Sequence, residues 1–170
     1  GGYLAPLRLG YRDVHELNLS ADPEASHLVL HGPRPVTLFN AQTCLQARFF
    51  WRDLRRLRGW SRGLRAAVRN WLAIVTLFTG WPWFYLWDLL PAVYLTHPEL
   101  FERQDVMLCS TVDDLASGHL ALGAGGAAIN MPPRITDLAA FDAVLDAAWR
   151  RAPAQSYDPR PRANREASRG

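Results

Sequence analysis

Val14-His15-Glu16-Leu17-Asn18-Leu19-Ser20-Ala21-Asp22-Pro23-Glu24-Ala25 is the stretch on which the reading of the fold turns. Its second half is a helix start. Asp22 is a good N-cap, and Pro23 suits the first helical position, where its missing N–H costs nothing. Its first half reads as an extended segment carrying Glu16 and Asn18 two residues apart. In a strand both side chains fall on one face. A carboxylate and an amide on one face can bracket adjacent hydroxyls, the carboxylate accepting and the amide both donating and accepting. A loop whose polar side chains meet only water is the alternative, and spacing leaves both open.

Outward from this point, helices and strands alternate. The helix that begins at Pro23 stops near Gly32-Pro33. Pro35-Val36-Thr37-Leu38-Phe39 reads as a short buried strand. Residues 43–57 have helical spacing up to Gly59, and residues 61–79 form a second helical stretch that Gly80-Trp81-Pro82 breaks. Residues 87–96 read as a further helix, ended by the turn His97-Pro98-Glu99. Residues 105–110 are a strand candidate, 120–122 a weaker one, and Asp113-Asp114 and Gly123-Ala124-Gly125-Gly126 read as turn and loop. Residues 137–151 have helical spacing, with Leu138, Phe141, Leu145 and Trp149 on one face. The alternation predicts an α/β fold in layers over residues 1–151. Residues 152–170 are rich in Pro, Arg, Ser and Asn with little to bury, which predicts a disordered tail.

A second polar point stands far downstream. Asp88 is the one charged residue between Trp71 and Thr96. Burying it is expensive unless it is paired, hydrogen-bonded or metal-bound. It also suits the N-cap of the next helix, and the two roles are compatible. The apolar run 71–87 approaches the ~20 residues of a membrane span. Gly80 and Pro82 interrupt it, however, so a broken pair of core helices is expected instead.

Composition bounds the rest. A chain of 170 residues is of single-domain size. It has seven Trp and no Lys, so every basic side chain is Arg. Residues 48–69 hold eight Arg against the single acid Asp53. That face fits a solvated helix surface or a binding surface for an acidic partner. Trp51 and Trp60 could stack on bases, but no base-reading motif accompanies them. Cys44 and Cys109 read as reduced core thiols, which suits a cytoplasmic location. No secretory leader is evident, and the start at Gly1 rather than Met is what a fragment or processed chain would show. His27 and His31 are spaced to share a helix face, but no third metal ligand accompanies them. No nucleophile elbow, phosphate-binding loop or dinucleotide fingerprint is present.

The residues do resemble a family. Glu16-Leu17-Asn18-Leu19-Ser20-Ala21-Asp22-Pro23-Glu24-Ala25-Ser26 is similar to the E-F-N-x-x-x-D-P-E-A-A block of the inosine–uridine preferring nucleoside hydrolases. Trp87-Asp88-Leu89-Leu90-Pro91-Ala92-Val93-Tyr94-Leu95 resembles their H-D-P-L-A-A-A-Y-L block, and His97-Pro98-Glu99-Leu100-Phe101 the D-P-E-L-F that follows. Pro35-Val36-Thr37-Leu38 looks like the family's intervening strand, and Gly1-Gly2 like the end of the strand before the first block.

The resemblance implies the C-terminal part of a nucleoside-hydrolase-like, Rossmann-like mixed sheet with surrounding helices. It implies hydrolysis of a ribonucleoside's N-glycosidic bond to ribose and base, in a protein that commonly forms homo-oligomers. By matching positions, Glu16 and Asn18 would bind ribose hydroxyls and Asp88 would ligate Ca2+. The family's D-x-D-x-x-x-D-D metal and base motif has no counterpart here. Trp87 stands where the family has an acid-side His, and Gln42 and Cys44 where it has a D-x-T. The expectation is therefore a nucleoside hydrolase-like chain with no catalytic residue of its own, incomplete or inactive alone: either an N-terminal partner segment exists elsewhere, or the chain is a degenerate remnant that keeps a weak sugar-binding surface. The competing expectation is a non-enzymatic interaction module that uses the Arg face of residues 48–69.

Overall fold

Asp22 caps the first helix through its side chain, which accepts the Ala25 N–H at 3.0 Å, and α1 runs Pro23–Leu30. The computed structural model describes residues 1–9, 12–13 and 15–151. The predicted tail at 152–170 lies outside the described residues. Before α1, β1 (Arg8–Leu9) and β2 (Arg12–Asp13) form a small antiparallel ladder. After it, Asn40 caps the short helix α2 (Ala41–Cys44) by accepting the Thr43 N–H at 2.9 Å.

The helix expected over residues 43–57 does not form. β3 (Arg48–Phe50) and a 3-10 turn (Trp51–Leu57) occupy most of it. The physical reason is a partner distant in sequence. β4 (Trp83–Tyr85) pairs with β3 antiparallel, Phe49 opposite Phe84, and buries Phe49. Between these strands lies α3 (Arg62–Thr79), capped by Ser61 and ended by Gly80 at φ 75°. In that left-handed conformation glycine carries no Cβ penalty. The apolar run 71–87 is therefore a helix end and a strand rather than two core helices, and within α3 only Leu72 is buried.

The remaining elements are α4 (Leu89–Tyr94), β5 (Asp105–Leu108), α5 (Val112–Ser117), β6 (Ala127–Asn130) and α6 (Leu138–Arg151). The Asp113-Asp114 turn expected from the sequence is instead the first turn of α5. Thr111 and Asp114 cap each other there, and acids favour a helix N-terminus.

The strands form three separate two-stranded antiparallel sheets, and parallel pairing is limited to isolated bridges. β5 and β6 pair antiparallel, and Leu122 bridges to Leu108 on the other side of β5. Beyond these, Thr37 bridges parallel to Asn130 and Tyr3 parallel to His119. The expected strand at 35–39 is thus one parallel bridge with Leu38 and Phe39 buried behind it.

Two apolar clusters flank these ladders. One joins Phe39, Phe49, Leu57, Leu90, Phe101, Phe141, Leu145 and Trp149. The other joins Leu30, Leu38, Leu108, Leu115, Leu120, Ile129 and Met131. On α6, Phe141, Leu145 and Trp149 face the core as spaced, whereas Leu138 is half exposed. Arg56 is held against α6. It pairs with Asp146, lies 3.4 Å from Asp142 and 3.7 Å from Asp53, and stacks 4.8 Å over the Trp149 ring. Burial works against its charge, and the three carboxylates more than compensate, raising its pKa.

Candidate functional site

Glu16 and Asn18 lie not in a strand but in a turn that Glu16 builds. Its Oε1 accepts the N–H of Asn18 at 2.9 Å and of Gly2 at 3.2 Å, and its Oε2 accepts that of Ser20 at 2.9 Å. The Ser20 hydroxyl donates back to the Glu16 carbonyl. Partial burial opposes the charged form, but the bonds from Ser20, Asn18 and Gly2 outweigh it and hold the carboxyl below the usual glutamate range. A carboxylate that accepts several backbone N–H groups behaves this way. The Asn18 side chain is exposed and makes no hydrogen bond among the described residues, so its amide is available.

Two glycines make room for the turn. A Cβ on Gly1 would stand 3.0 Å from Glu16 Oε1 and 3.1 Å from Asn18 Cβ. Gly118, at φ 81°, ends α5, and a Cβ there would sit 2.2 Å from Glu16 Cβ. Sequence reasoning missed Gly118. Its signal was the Ala-Ser-Gly run that closes a helix.

Asp88 is exposed, so the burial argument that singled it out does not apply. It occupies the N-cap position of α4, but its side chain makes no cap hydrogen bond. Its carboxylate has no ion pair or hydrogen bond among the described residues.

The short helix α2 links the two polar points. At its start, Gly1 donates to the Phe39 carbonyl at 2.9 Å and Gly2 accepts the Ala41 N–H at 2.8 Å. At its end, the Cys44 thiol donates to the Trp87 carbonyl at 3.8 Å. The Cys44 thiol is pushed up to about 11, first by burial and then by the Asp88 charge, against the opposing pull of the chain's amino terminus. A separate cavity of about 160 Å3, lined by Asn40, Gln42, Thr43 and Gln104 among others, includes neither Glu16, Asn18 nor Asp88.

The donor set does not fit calcium, which takes ~6–8 oxygen ligands. Both Glu16 oxygens already accept backbone N–H groups. Among the described residues no three His, Cys, Asp or Glu side chains cluster to hold an ion. His27 and His31 stack at 4.2 Å, and His31 Nε2 lies 3.1 Å from the Ser110 carbonyl, so that pair joins α1 to the α5 region.

No protein-family model and no curated protein sequence matches this chain. Solved structures do. The fold is similar to that of a plant nucleoside hydrolase, the PpNRh1 enzyme, with TM-score 0.68 and 16% identity over 78% of this chain and 46% of that one. It is also similar to an inosine–uridine preferring nucleoside hydrolase from Bacillus anthracis, with TM-score 0.53 and 19% identity over 76% of this chain and 41% of that one. The chain thus carries part of the nucleoside hydrolase fold and spans less than half the length of either structure.

Proposed function

We propose that the chain is the C-terminal portion of a ribonucleoside N-glycosidase fold and supplies a pentose-binding rim. The observation that carries this reading is that the Asn18 amide and the Asp88 carboxylate are both exposed and without a side-chain hydrogen bond or ion pair among the described residues. The shared fold of the two nucleoside hydrolases supports it. Asn18 would donate to and accept from one ribose hydroxyl, and Asp88 would accept from another. Glu16 would act mainly by fixing the Asn18 backbone, with lone pairs left for one further hydroxyl.

Hydrolysis needs a poised base and anionic support for an oxocarbenium-like transition state. The residues above supply neither a base near water nor a calcium cage. The chain would therefore bind but not turn over a nucleoside, and a further segment or a second subunit would complete the site. Free Cys44 and Cys109 suit a reducing, cytoplasmic setting for such a protein.

The test combines two measurements on the purified chain. Ribose or inosine should raise the melting temperature of the wild type and not of Asn18→Ala, while inosine and uridine with added calcium show no turnover. A ligand-independent melting temperature would refute the rim, and turnover at an intact enzyme's rate would refute the inactivity.

A second reading has its own observation. Arg48, Arg52, Arg55, Arg58, Arg62, Arg65 and Arg69 form no ion pair among the described residues. Such a face fits an acidic partner. Arg56 does not belong to it, being turned into the α6 carboxylates. Salt-sensitive retention on anionic beads, lost when Arg55, Arg62 and Arg65 become Gln, tests that reading.

A further inference from the structure

Helix α3 is amphipathic in a way the fold does not use. Its core-facing line is narrow. Leu72 is fully buried and Val68 packs against the larger apolar cluster. On the side away from the core, Leu77 is 82% exposed, Phe78 70%, Trp71 54% and Ile74 47%. Exposing several large apolar residues together marks an interaction surface. Helical geometry puts Arg62, Arg65 and Arg69 on the flank opposite Trp71 and Phe78. The 3-10 turn before α3 carries exposed Arg52 and Arg55, and exposed Arg58 follows it.

The charges are also placed against the helix's own interest. The first turn of α3 holds Arg62 and no acid. A cation near a helix N-terminus opposes the macrodipole. Neither feature stabilises the isolated protein, and a partner that is both anionic and apolar would satisfy both.

We propose that α3 lies in the surface of an anionic lipid bilayer, with Leu77, Phe78, Ile74 and Trp71 entering the acyl boundary and Arg62, Arg65 and Arg69 reaching the headgroups from the polar flank. A helix with Arg on one side and Trp, Phe and Leu on the other is the pattern that binds in the interface plane. The helix does not span the bilayer, because no helix among the described residues is long and apolar enough to cross. Nucleic acid would use the arginines but leave Leu77 and Phe78 in water. Pairing of α3 with α3 of a second copy would cover the apolar side but bring no acid to its arginines, since α3 has none. The inference deepens the second reading above by naming the acidic partner's class, and its apolar arm separates the two.

The experiment is flotation of the full chain with phosphatidylcholine vesicles, with and without phosphatidylserine. Binding is expected only to the anionic vesicles. Arg62→Gln with Arg65→Gln should weaken it roughly fivefold per arginine removed. Leu77→Ser with Phe78→Ser should also abolish it, while both variants keep the wild-type melting temperature, since all four positions are exposed. Absence of binding overturns the proposal. Binding that the apolar variant leaves intact, or that duplex DNA matches, overturns the lipid claim while leaving an acidic-partner surface. A dimer that dissociates in the apolar variant overturns it in favour of a second copy.

Discussion

The Glu16 carboxylate accepts the backbone N–H of Asn18 at 2.9 Å, so the acid of the pair fixes the position from which the amide is presented. Glu16→Ala would leave the N–H groups of Gly2, Asn18 and Ser20 without this acceptor. Partial exposure lets water replace some of those bonds, so the expected loss is about 1–3 kcal/mol. Asn18→Ala should change stability little while removing the ribose response. Urea denaturation of the two variants separates the roles.

The same carboxylate makes stability depend on acid. Its folded pKa is lowered, so its contribution is fully present above the ordinary glutamate value and is lost as pH falls through the folded value. A pH series of unfolding free energies should show a weaker fall on the acid side for Glu16→Gln than for wild type. Parallel curves would mean that the turn does not depend on the charge.

Gly118 touches the site from the far end of the chain. Its φ is 81°, and a Cβ there would stand 2.2 Å from Glu16 Cβ, which leaves no space for alanine. Gly118→Ala should destabilise by roughly 2–4 kcal/mol, combining left-handed strain with a forced shift of Glu16. It should also blunt ribose binding, which a distant core mutation of equal cost would not do. Thermal melts with and without ribose, beside such a control, check this.

Arg56 is the cation that the packing needs. Its side chain is 14% exposed, between Asp53, Asp142 and Asp146. Arg56→Met keeps the apolar contact with Trp149 and removes the charge. Because Asp142 is 56% exposed, solvent screens part of the unpaired carboxylate, and the expected loss is about 1–3 kcal/mol rather than that of a fully buried pair. Asp146→Asn in the Arg56→Met background should cost much less than in wild type, and a double-mutant cycle by urea titration reads the difference.

Cys44 is buried and its thiol is pushed up to about 11, so little thiolate forms near pH 8. Cys109 is half-buried. An aromatic disulfide reagent should modify one thiol in the native protein, Cys109, and the second only after unfolding. Cys109→Ser should remove the native reaction.

Local signals in the sequence decided much of this protein. Asp22-Pro23 set the start of α1, Ser61 and Gly80 the two ends of α3, and Phe141, Leu145 and Trp149 the buried face of α6. Caps and helical periodicity act within a few residues, so they are legible without a partner.

The tertiary structure decided what depended on contacts across the chain. Residues 43–57 have helical spacing, yet Phe49 is drawn into a ladder with Phe84, because burying an aromatic pair outweighs a weak local preference. Glu16, expected in an extended segment, organises a turn because Gly2, Ser20 and Gly118 converge on it from three places in the sequence. Asp88 proved exposed because α3 and β4 turn the run before it into a helix end and a strand rather than a pair of core helices. Burial and hydrogen-bond occupancy are properties of the neighbours that folding delivers, and neighbours distant in sequence leave no local mark.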